Sequence, residues 1–104
     1  MTPEAKVKKK IVAELNTLGA YSFFPVMGGY GRSGIPDIIG CYRGYFFAVE
    51  CKAGKNTTTA LQERELQKIR DAGGIAIVVN EENIDDVKAA LQAHTGGRLR
   101  DPVG

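Results

Sequence analysis

The sequence predicts a mixed α/β domain in which helices pack on one mixed β-sheet, with the element order α-β-β-β-α-β-α. Two strand-like segments are separated only by Arg43 and Gly44, which is typical of a tight antiparallel hairpin. A helical segment then separates the second of these strands from a last apolar strand, and such a crossover favours parallel pairing. Helices on one face of the sheet would give two layers and helices on both faces three, and the sequence leaves this choice open.

The first helix is predicted over residues 2–19. Thr2 is a suitable N-cap, Pro3 occupies the first helical position, and Gly19 ends the segment. One helical face is apolar and is expected to pack on the sheet; it is formed by Val7, Ile11, Leu15 and Leu18.

The first strand is predicted over residues 20–27, at the edge of the sheet, because Pro25 cannot donate to a neighbouring strand. Residues 28–34 form a glycine-rich loop by composition. The two strands of the hairpin follow at residues 35–42 and 45–53.

The second half begins with a polar linker, followed by a helix over residues 60–74 that ends on two glycines. Residues 75–80 are uniformly apolar and predict a short strand buried on both faces. A last helix is predicted over residues 81–94. The domain is therefore expected to span residues 1–94, with residues 95–104 as a flexible C-terminal tail.

Composition restricts the class of protein. The chain has 104 residues and 43% hydrophobic residues, enough for one core, and no apolar run approaches the roughly 18 residues of a membrane span. The N-terminus lacks the apolar core of a signal peptide, and two cysteines without metal-ligand spacing suggest a reducing compartment. We expect an intracellular, cytoplasmic protein without membrane contact, for which a bacterial or phage origin is plausible. The net charge of +2 permits nucleic-acid binding without indicating it.

Three charged side chains are expected on the same face of the hairpin. If Arg43 and Gly44 form the turn, Asp37 lies opposite Glu50, and Lys52 shares their face because strand side chains alternate. Two opposed carboxylates are destabilising unless a cation neutralises them, and Mg²⁺ prefers such oxygen ligands. The alternative is that Lys52 pairs with Glu50 while Asp37 caps a turn. A shift of one residue in register would move Asp37 to the other face.

These residues carry a resemblance to a known family. Pro36 and Asp37, then twelve residues, then Glu50, Cys51 and Lys52, resemble the PD-(D/E)xK nuclease motif. Within that superfamily, residues 1–93 resemble the VRR-NUC (virus-type replication-repair nuclease) domains. The shared pattern is a glycine-rich lead into G-x-P-D, a hairpin with E-x-K, and a helix that starts near a glutamine and closes on two glycines. The resemblance implies a restriction-endonuclease-like core.

The resemblance also implies an activity. Asp37, Glu50 and the backbone carbonyl of Cys51 would hold Mg²⁺ or Mn²⁺, and Lys52 would assist the attacking water. The implied protein is a metal-dependent DNA endonuclease, selective for branched structures such as Holliday junctions, with a role in replication, repair or recombination. Similarity to junction resolvases further implies a homodimer. The segment 21–27 is one candidate interface, although core packing explains its apolar character equally well.

Two further site residues follow from the resemblance. Families of this kind often carry an acidic residue in the first helix near the metal. Glu4 and Glu14 both lie near the apolar stripe, and we favour Glu4 because it lies at the exposed helix start, where the helix dipole alone would also favour an acid. Gln62 matches the glutamine that faces the active site in the family. The alternative is a Gln62 that bonds to a nearby loop backbone.

Several basic residues are candidates for phosphate contacts, among them Lys8, Lys9, Lys10, Arg32, Arg43, Lys55 and Arg64. Arg32 and Lys55 are favoured because both flank the predicted site on glycine-rich loops, and Lys9 is included as a DNA-binding candidate. Tyr30, in the same loop as Arg32, is a candidate to stack on an unpaired base.

Two other functions remain open at this point. One is a non-catalytic nucleic-acid-binding module that retains the nuclease fold; the complete set of Asp37, Glu50 and Lys52 argues against it. The other is a flap-cutting or end-processing nuclease with the same chemistry. No segment resembles a helix-turn-helix or zinc finger, so we expect reading of backbone shape rather than of base sequence.

Overall fold

A computed structural model describes residues 1–26 and 33–101 of the chain. The predicted order of elements is confirmed in these ranges. The helices and strands are α1 (Pro3–Leu18), β1 (Tyr21–Phe23), β2 (Ile38–Tyr42), β3 (Tyr45–Cys51), α2 (Ala60–Asp71), β4 (Ile75–Val79) and α3 (Asp85–Thr95).

The four strands form one mixed sheet in the order β1-β2-β3-β4. The first three strands are antiparallel, and β4 runs parallel to β3 after the α2 crossover. β1 lies at the edge, as predicted, and it ends at Phe23, two residues before Pro25. β4 forms the opposite edge. Ile75 and Val79 at its ends are buried, and the three residues between them are only half-buried. The prediction of a strand buried on both faces is therefore wrong for these three residues, because β4 lies at the sheet edge.

The hairpin turn confirms the predicted register. Arg43 and Gly44 both have positive φ, 54° and 87°, which is the geometry of a type I′ turn. The ladder then runs from the Tyr42–Tyr45 pair to the Ile38–Val49 pair. One further step along this ladder brings Asp37, just before β2, opposite Glu50 of β3.

Helices cover both faces of the sheet, so the domain has three layers. One face packs against α1 and α3, whose buried residues Val7, Ile11, Leu15, Val87 and Leu91 form one cluster with the strand residues Ile38, Tyr42, Phe47, Val49, Cys51, Ile75 and Val79. α2 contacts β3 and β4, and its buried Leu66 lies outside that cluster. By strand alternation, Ala48 and Glu50 face α2 while their neighbours face α1 and α3.

Gly40 lets β1 approach the sheet closely. A Cβ at this position would overlap the carbonyl oxygen of Tyr21 and come within 2.7 Å of the Phe47 ring. The glycine therefore allows β1 to pair with β2 directly above the largest core side chain.

The helix ends follow the predicted signals. Thr2 Oγ1 accepts a hydrogen bond from the Ala5 amide, and Gly19 ends α1 in the left-handed conformation. α2 ends at Asp71, earlier than predicted, and the glycine pair follows with Gly73 at φ 95°. None of the helices in the described ranges combines the length and hydropathy needed to cross a bilayer.

The described part of the C-terminal tail lies against the hairpin turn. The Arg100 amide donates to the Arg43 carbonyl at 2.8 Å, and the Arg100 guanidinium lies 5.7 Å from the centroid of the Tyr45 ring. The same ring meets the His94 imidazole edge-on at a centroid distance of 5.5 Å. α3 begins at Asp85, four residues later than predicted, and continues to Thr95, one residue past the predicted helix end. The domain boundary and the flexibility of the tail stay predictions.

Candidate active site

Asp37 ties the start of β2 to the end of β3. Its Oδ2 accepts a hydrogen bond from the Cys51 amide at 2.8 Å, and its Oδ1 lies 3.3 Å from the Lys8 ammonium. The carboxylate thus continues the β2–β3 ladder by one side-chain bond beyond the last backbone pair. It reaches across to β3 instead of closing a local turn after Pro36, which was the alternative interpretation.

Glu50 is the most deeply buried charged residue in the described chain, with 2% of its surface exposed. Its Oε2 lies 3.5 Å from the Lys52 ammonium. Its Oε1 is buried and has no hydrogen-bond partner. A buried carboxylate oxygen without a partner costs free energy, and such groups in proteins usually have a functional or ligand-related explanation.

The environment of Glu50 disfavours its charge. Burial raises the pKa of the Glu50 carboxyl, the neighbouring Asp37 charge raises it further, and Lys52 only partly opposes this, so that the pKa rises to about 7. Perturbed carboxyl groups of this kind are typical of functional sites. The Lys52 ammonium therefore does not fully compensate the negative charge that the buried Glu50 and the neighbouring Asp37 bring together.

Lys52 continues the backbone of β3 past the last strand residue. Its amide donates to the Val79 carbonyl at 2.8 Å, which holds it in the parallel ladder with β4. Its side chain is 14% exposed and contacts Glu50 on the predicted face. The ion pair between Lys52 and Glu50, which the alternative interpretation required, is therefore present, and it lies within the predicted site.

Lys8 joins the site from α1, a contact that the sequence did not predict. α1 packs on the other face of the sheet from Glu50, and the Lys8 side chain reaches the sheet end where Asp37 lies. Partial burial lowers the pKa of Lys8, but the charge and hydrogen bond of Asp37, with a smaller contribution from Glu4, outweigh this and raise it. Each carboxylate of the site is therefore paired with its own ammonium.

The donor set fits a hard divalent cation. Two carboxylates at the end of neighbouring strands, one with an unsatisfied buried oxygen, are suitable oxygen ligands for Mg²⁺ or Mn²⁺. Within residues 1–26 and 33–101, no group of three or more His, Cys, Asp or Glu side chains is placed to hold a metal ion. A cation here would therefore take its remaining ligands from backbone, water or phosphate.

Glu4 lies in the first turn of α1, one helical turn before Lys8, and its charge acts on both Lys8 and Cys51. Glu14 lies six residues beyond Lys8, about 9 Å further along the helix axis. This placement agrees with the preference for Glu4. Glu4 does not complete a three-carboxylate cluster with Asp37 and Glu50, so its role as a ligand stays a prediction.

Gln62 makes the backbone contact that the sequence left as the alternative. Its Oε1 accepts from the Thr59 amide at 2.9 Å, and its own amide donates to Thr59 Oγ1 at 3.2 Å, which is a complete capping box. The loop before Asp37 packs here, because a Cβ at Gly34 would lie 2.6 Å from the Leu61 carbonyl oxygen. A role of Gln62 in the reaction stays a prediction.

Cys51 is poorly suited to act as a nucleophile. Cys51 is fully buried in the core, and burial, followed by the charges of Asp37 and Glu50, raises the pKa of its thiol to about 12. Cys41 is exposed and pairs in the ladder with Phe46. Both are free thiols, and the metal-binding role predicted for the Cys51 backbone carbonyl stays a prediction.

Two of the four predicted DNA-binding residues, Lys9 and Lys55, lie in the described ranges. Lys9 is exposed on α1 beside Lys8, and Lys55 is exposed on the turn that follows Lys52. Tyr30 and Arg32 lie outside the described residues. An open groove of about 400 Å³ borders Asp37 directly; its walls are formed by Lys8, Phe24, Pro25, Ile35, Pro36 and Asp37.

The chain is similar to known nucleases. No protein-family model matches it. It is 30% identical over 91 residues to the putative nuclease p44 of Acyrthosiphon pisum secondary endosymbiont phage 1, covering 85% of this chain and 94% of the relative. A solved VRR_NUC domain superposes with a TM-score of 0.69 at 24% identity, covering 86% of this chain and 97% of that domain.

A second solved structure is more distant. Hjc of Archaeoglobus fulgidus, a Holliday junction resolvase, superposes with a TM-score of 0.55 at 22% identity, covering 71% of this chain and 64% of Hjc. Both superpositions confirm the predicted nuclease-type fold. The similarity to the phage protein extends over nearly the full length of both chains, and the chain therefore belongs to the nuclease family of phage p44, with the fold of a VRR-NUC domain.

Proposed function

We propose that this protein is a divalent-metal-dependent DNA endonuclease that hydrolyses phosphodiester bonds and selects branched DNA. The observation that carries the proposal is the buried Glu50 Oε1, which has no partner, although Asp37 adjoins Glu50 and the Lys52 ammonium lies 3.5 Å from its other oxygen. A stable fold gains nothing from such an oxygen, whereas a cation site requires it.

Asp37, Glu50 and the Cys51 carbonyl are the groups that would hold Mg²⁺ or Mn²⁺, with Glu4 as a further candidate. The bound ion would supply Lewis-acid polarisation of the phosphoryl oxygen and a more acidic water. The buried position of Glu50 and the Cys51–Asp37 hydrogen bond fix the two carboxylates before the ion arrives. Preorganised ligands of this kind avoid reorganisation during the reaction.

Lys52 is positioned to act on the reacting groups. Its ammonium lies beside Glu50 at the open end of β3, and its backbone is held by Val79. From there it can hold a water by hydrogen bonding and stabilise negative charge that develops on the phosphate. The groove beside Asp37 gives a phosphodiester access to the same end of the sheet.

DNA as substrate and selectivity for branched structures are supported by the relatives. The phage relative is described as a nuclease and Hjc as a Holliday junction resolvase. The origin of the former also supports the predicted intracellular location in a bacterial host.

A homodimer would place two such sites on opposite strands of a junction. The edge strand β1 and the residues after it supply an apolar surface, in which Tyr21 is 70% and Val26 95% exposed, with Phe23 and Phe24 about half exposed. Core packing therefore does not account for the described part of this segment. Exposed apolar edges of this kind are typical of association surfaces.

The test is cleavage of a labelled four-way junction and of a matched linear duplex, with Mg²⁺, with Mn²⁺ and with EDTA. Wild type is compared with Lys52→Ala and with Lys68→Ala, a control because Lys68 is exposed on the last turn of α2. We expect symmetric nicks in the junction that require metal, that Lys52→Ala abolishes and that Lys68→Ala retains.

Other results would change the assignment. Equal cleavage of both DNAs would leave a nuclease without junction selectivity, and cleavage at flap or strand ends on an extended panel would favour an end-processing enzyme. DNA binding without cleavage in either metal would contradict the catalytic proposal and favour a binding module. Light scattering of the same protein measures the dimer independently of activity.

A further inference from the structure

The contact between Lys8 and Asp37 is not explained by stability alone. Lys8 is about one-third exposed, and its ammonium lies 3.3 Å from Asp37 Oδ1. Ion pairs with this exposure contribute little to folding. Asp37 already has a second partner, since its Oδ2 accepts the Cys51 amide. The lysine therefore occupies the one Asp37 oxygen that β3 leaves available.

That oxygen is the one a divalent cation would need. Glu50 offers its unsatisfied Oε1, and Asp37 is the adjoining carboxylate. An ammonium and a divalent ion repel each other strongly at ligand distance, so both cannot sit at their best positions on Asp37. Binding of the ion therefore requires the Lys8 side chain to move.

A groove beside Asp37 offers space for the displaced side chain. Lys8 lines the groove of about 400 Å³ beside Asp37, together with Phe24, Pro25, Ile35 and Pro36. Apart from the Asp37 carboxylate, the other described side chains that line this groove are apolar, and Lys8 is the cationic group among them. A phosphate that entered beside the metal ligands would meet the Lys8 ammonium first. Lysine is suited to this contact because its charge sits on a flexible stem.

We propose that Lys8 is a further residue of the active site, which neutralises Asp37 while no divalent ion is present and binds a DNA phosphate in the groove once the ion has displaced it. The inference rests on the proposed function, since it assumes the cation site at Asp37 and Glu50. It assigns Lys8 two successive partners of the same charge: a carboxylate in the metal-free protein and a phosphate in the complex.

If Lys8 exchanges Asp37 for a phosphate, loss of its charge should strengthen metal binding and weaken DNA binding. The variant Lys8→Met keeps the length and apolar stem of the side chain but loses the charge. Without a competing ammonium, Mg²⁺ and Mn²⁺ should bind about 1.5- to fivefold more tightly, the range expected for loss of one partly exposed ion-pair partner. DNA should bind more weakly, because one phosphate contact is lost. A lysine that only stabilised the fold would weaken both.

Metal affinity is measured by isothermal titration of the metal-free protein with MnCl₂ alone. DNA affinity is measured with Ca²⁺ in place of Mg²⁺ at several salt concentrations, with the DNA checked for integrity afterwards. Loss of one phosphate contact lowers the slope of log K against log salt by about 0.9. Lys8→Arg retains the charge and should restore both the wild-type slope and the wild-type metal affinity. Lys68→Met serves as the control, because it removes an exposed lysine whose ion-pair partner is Glu65 and not Asp37.

The outcomes separate this inference from the proposed function. Tighter Mn²⁺ binding together with a reduced salt slope in Lys8→Met supports it. Wild-type binding of Mn²⁺ with unchanged or weaker binding by Lys8→Met overturns the role of Lys8 and leaves the nuclease proposal intact. An unchanged salt slope overturns the phosphate contact. If wild type binds no Mn²⁺ at all, the proposed cation site and the role of Lys8 both fail.

Discussion

The two ends of β3 differ in what their side chains contact. Near the hairpin turn, Phe47 is fully buried in the apolar cluster, and Tyr45 packs against His94 and Arg100. At the other end, Glu50 is equally buried but one of its oxygens has no partner, and two ammonium groups approach from different elements. At the first end, apolar and aromatic packing stabilises the strand. At the second end, a buried carboxylate oxygen without a partner lowers the stability of the fold.

This difference shows how a small fold carries an unfavourable site. The apolar ladder and the type I′ turn hold the register, and the register forces Asp37 and Glu50 together. The free energy that the charged end costs is offset by packing a few residues away on the same strand. Substitutions at the apolar end should therefore change stability, and substitutions at the polar end should change activity.

The largest expected effect is at the apolar end. Phe47→Ala should lower the free energy of unfolding by about 3–5 kcal/mol, because it removes a fully buried ring below Gly40. Urea denaturation measures it. Phe46→Ala, next in the chain but 44% exposed, is the matched control and should cost far less. Equal losses for the two variants would contradict the proposed alternation of faces along β3.

The opposite result is expected at the polar end. Glu50→Gln should lower metal-dependent cleavage at least about 100-fold, because a ligand of the proposed cation is lost. The same change should leave the fold intact or stabilise it near pH 8, since it removes a buried charge. Cleavage rates and urea denaturation on one preparation test both. A loss of stability comparable to that of Phe47→Ala would show that Glu50 is a structural residue.

The stability of the metal-free protein should depend on pH through Glu50. The pKa of this carboxyl is about 7 in the folded protein and 4.5 ordinarily. Between these values the folded state binds more protons than the unfolded chain, so the free energy of unfolding falls as pH rises from about 4.5 to about 7. The contribution is on the order of 3 kcal/mol. Glu50→Gln should flatten this part of the profile. If the profile of Glu50→Gln equals that of wild type, groups other than Glu50 cause the pH dependence of the free energy of unfolding.

A smaller effect separates the two roles of Gln62. Thr59→Ala and Gln62→Ala each break the same capping box, and each should cost about 1 kcal/mol in thermal or urea denaturation. If Gln62 also acts in the reaction, only Gln62→Ala should reduce the cleavage rate at a temperature where both variants are folded. Equal activity of the two variants would leave Gln62 as a helix cap alone.

The smallest effect is expected where the tail meets the hairpin. Arg100→Ala removes the guanidinium from the Tyr45 ring and should cost about 0.5–1 kcal/mol, the range of an exposed cation–π contact. Cleavage should be unaffected, because this contact lies at the far end of β3 from Glu50. A reduced cleavage rate at unchanged stability would show that the tail takes part in substrate binding.

The sequence by itself determined the elements and the pair of carboxylates. Local signals were sufficient for this: Thr2 and Gly19 set the ends of α1, and Arg43 and Gly44 set a turn that fixes the pairing of Asp37 with Glu50. Such signals depend on backbone preferences of a few adjacent residues, which the sequence contains in full. The motif spacing that pointed to a nuclease belongs to the same local ladder.

Tertiary structure alone decided the number of layers, the exposed state of β1 and the partner of Lys8. Each depends on where a helix or strand lies relative to the sheet, and no local spacing contains that information. Lys8 shows this most clearly. On its helix it is one lysine among several, and only the packing of α1 against the sheet places its ammonium on Asp37. The missing partner of Glu50 likewise became visible only once neighbouring elements were in place, whereas the Thr59–Gln62 capping box is a local contact that the T-x-x-Q spacing already contains.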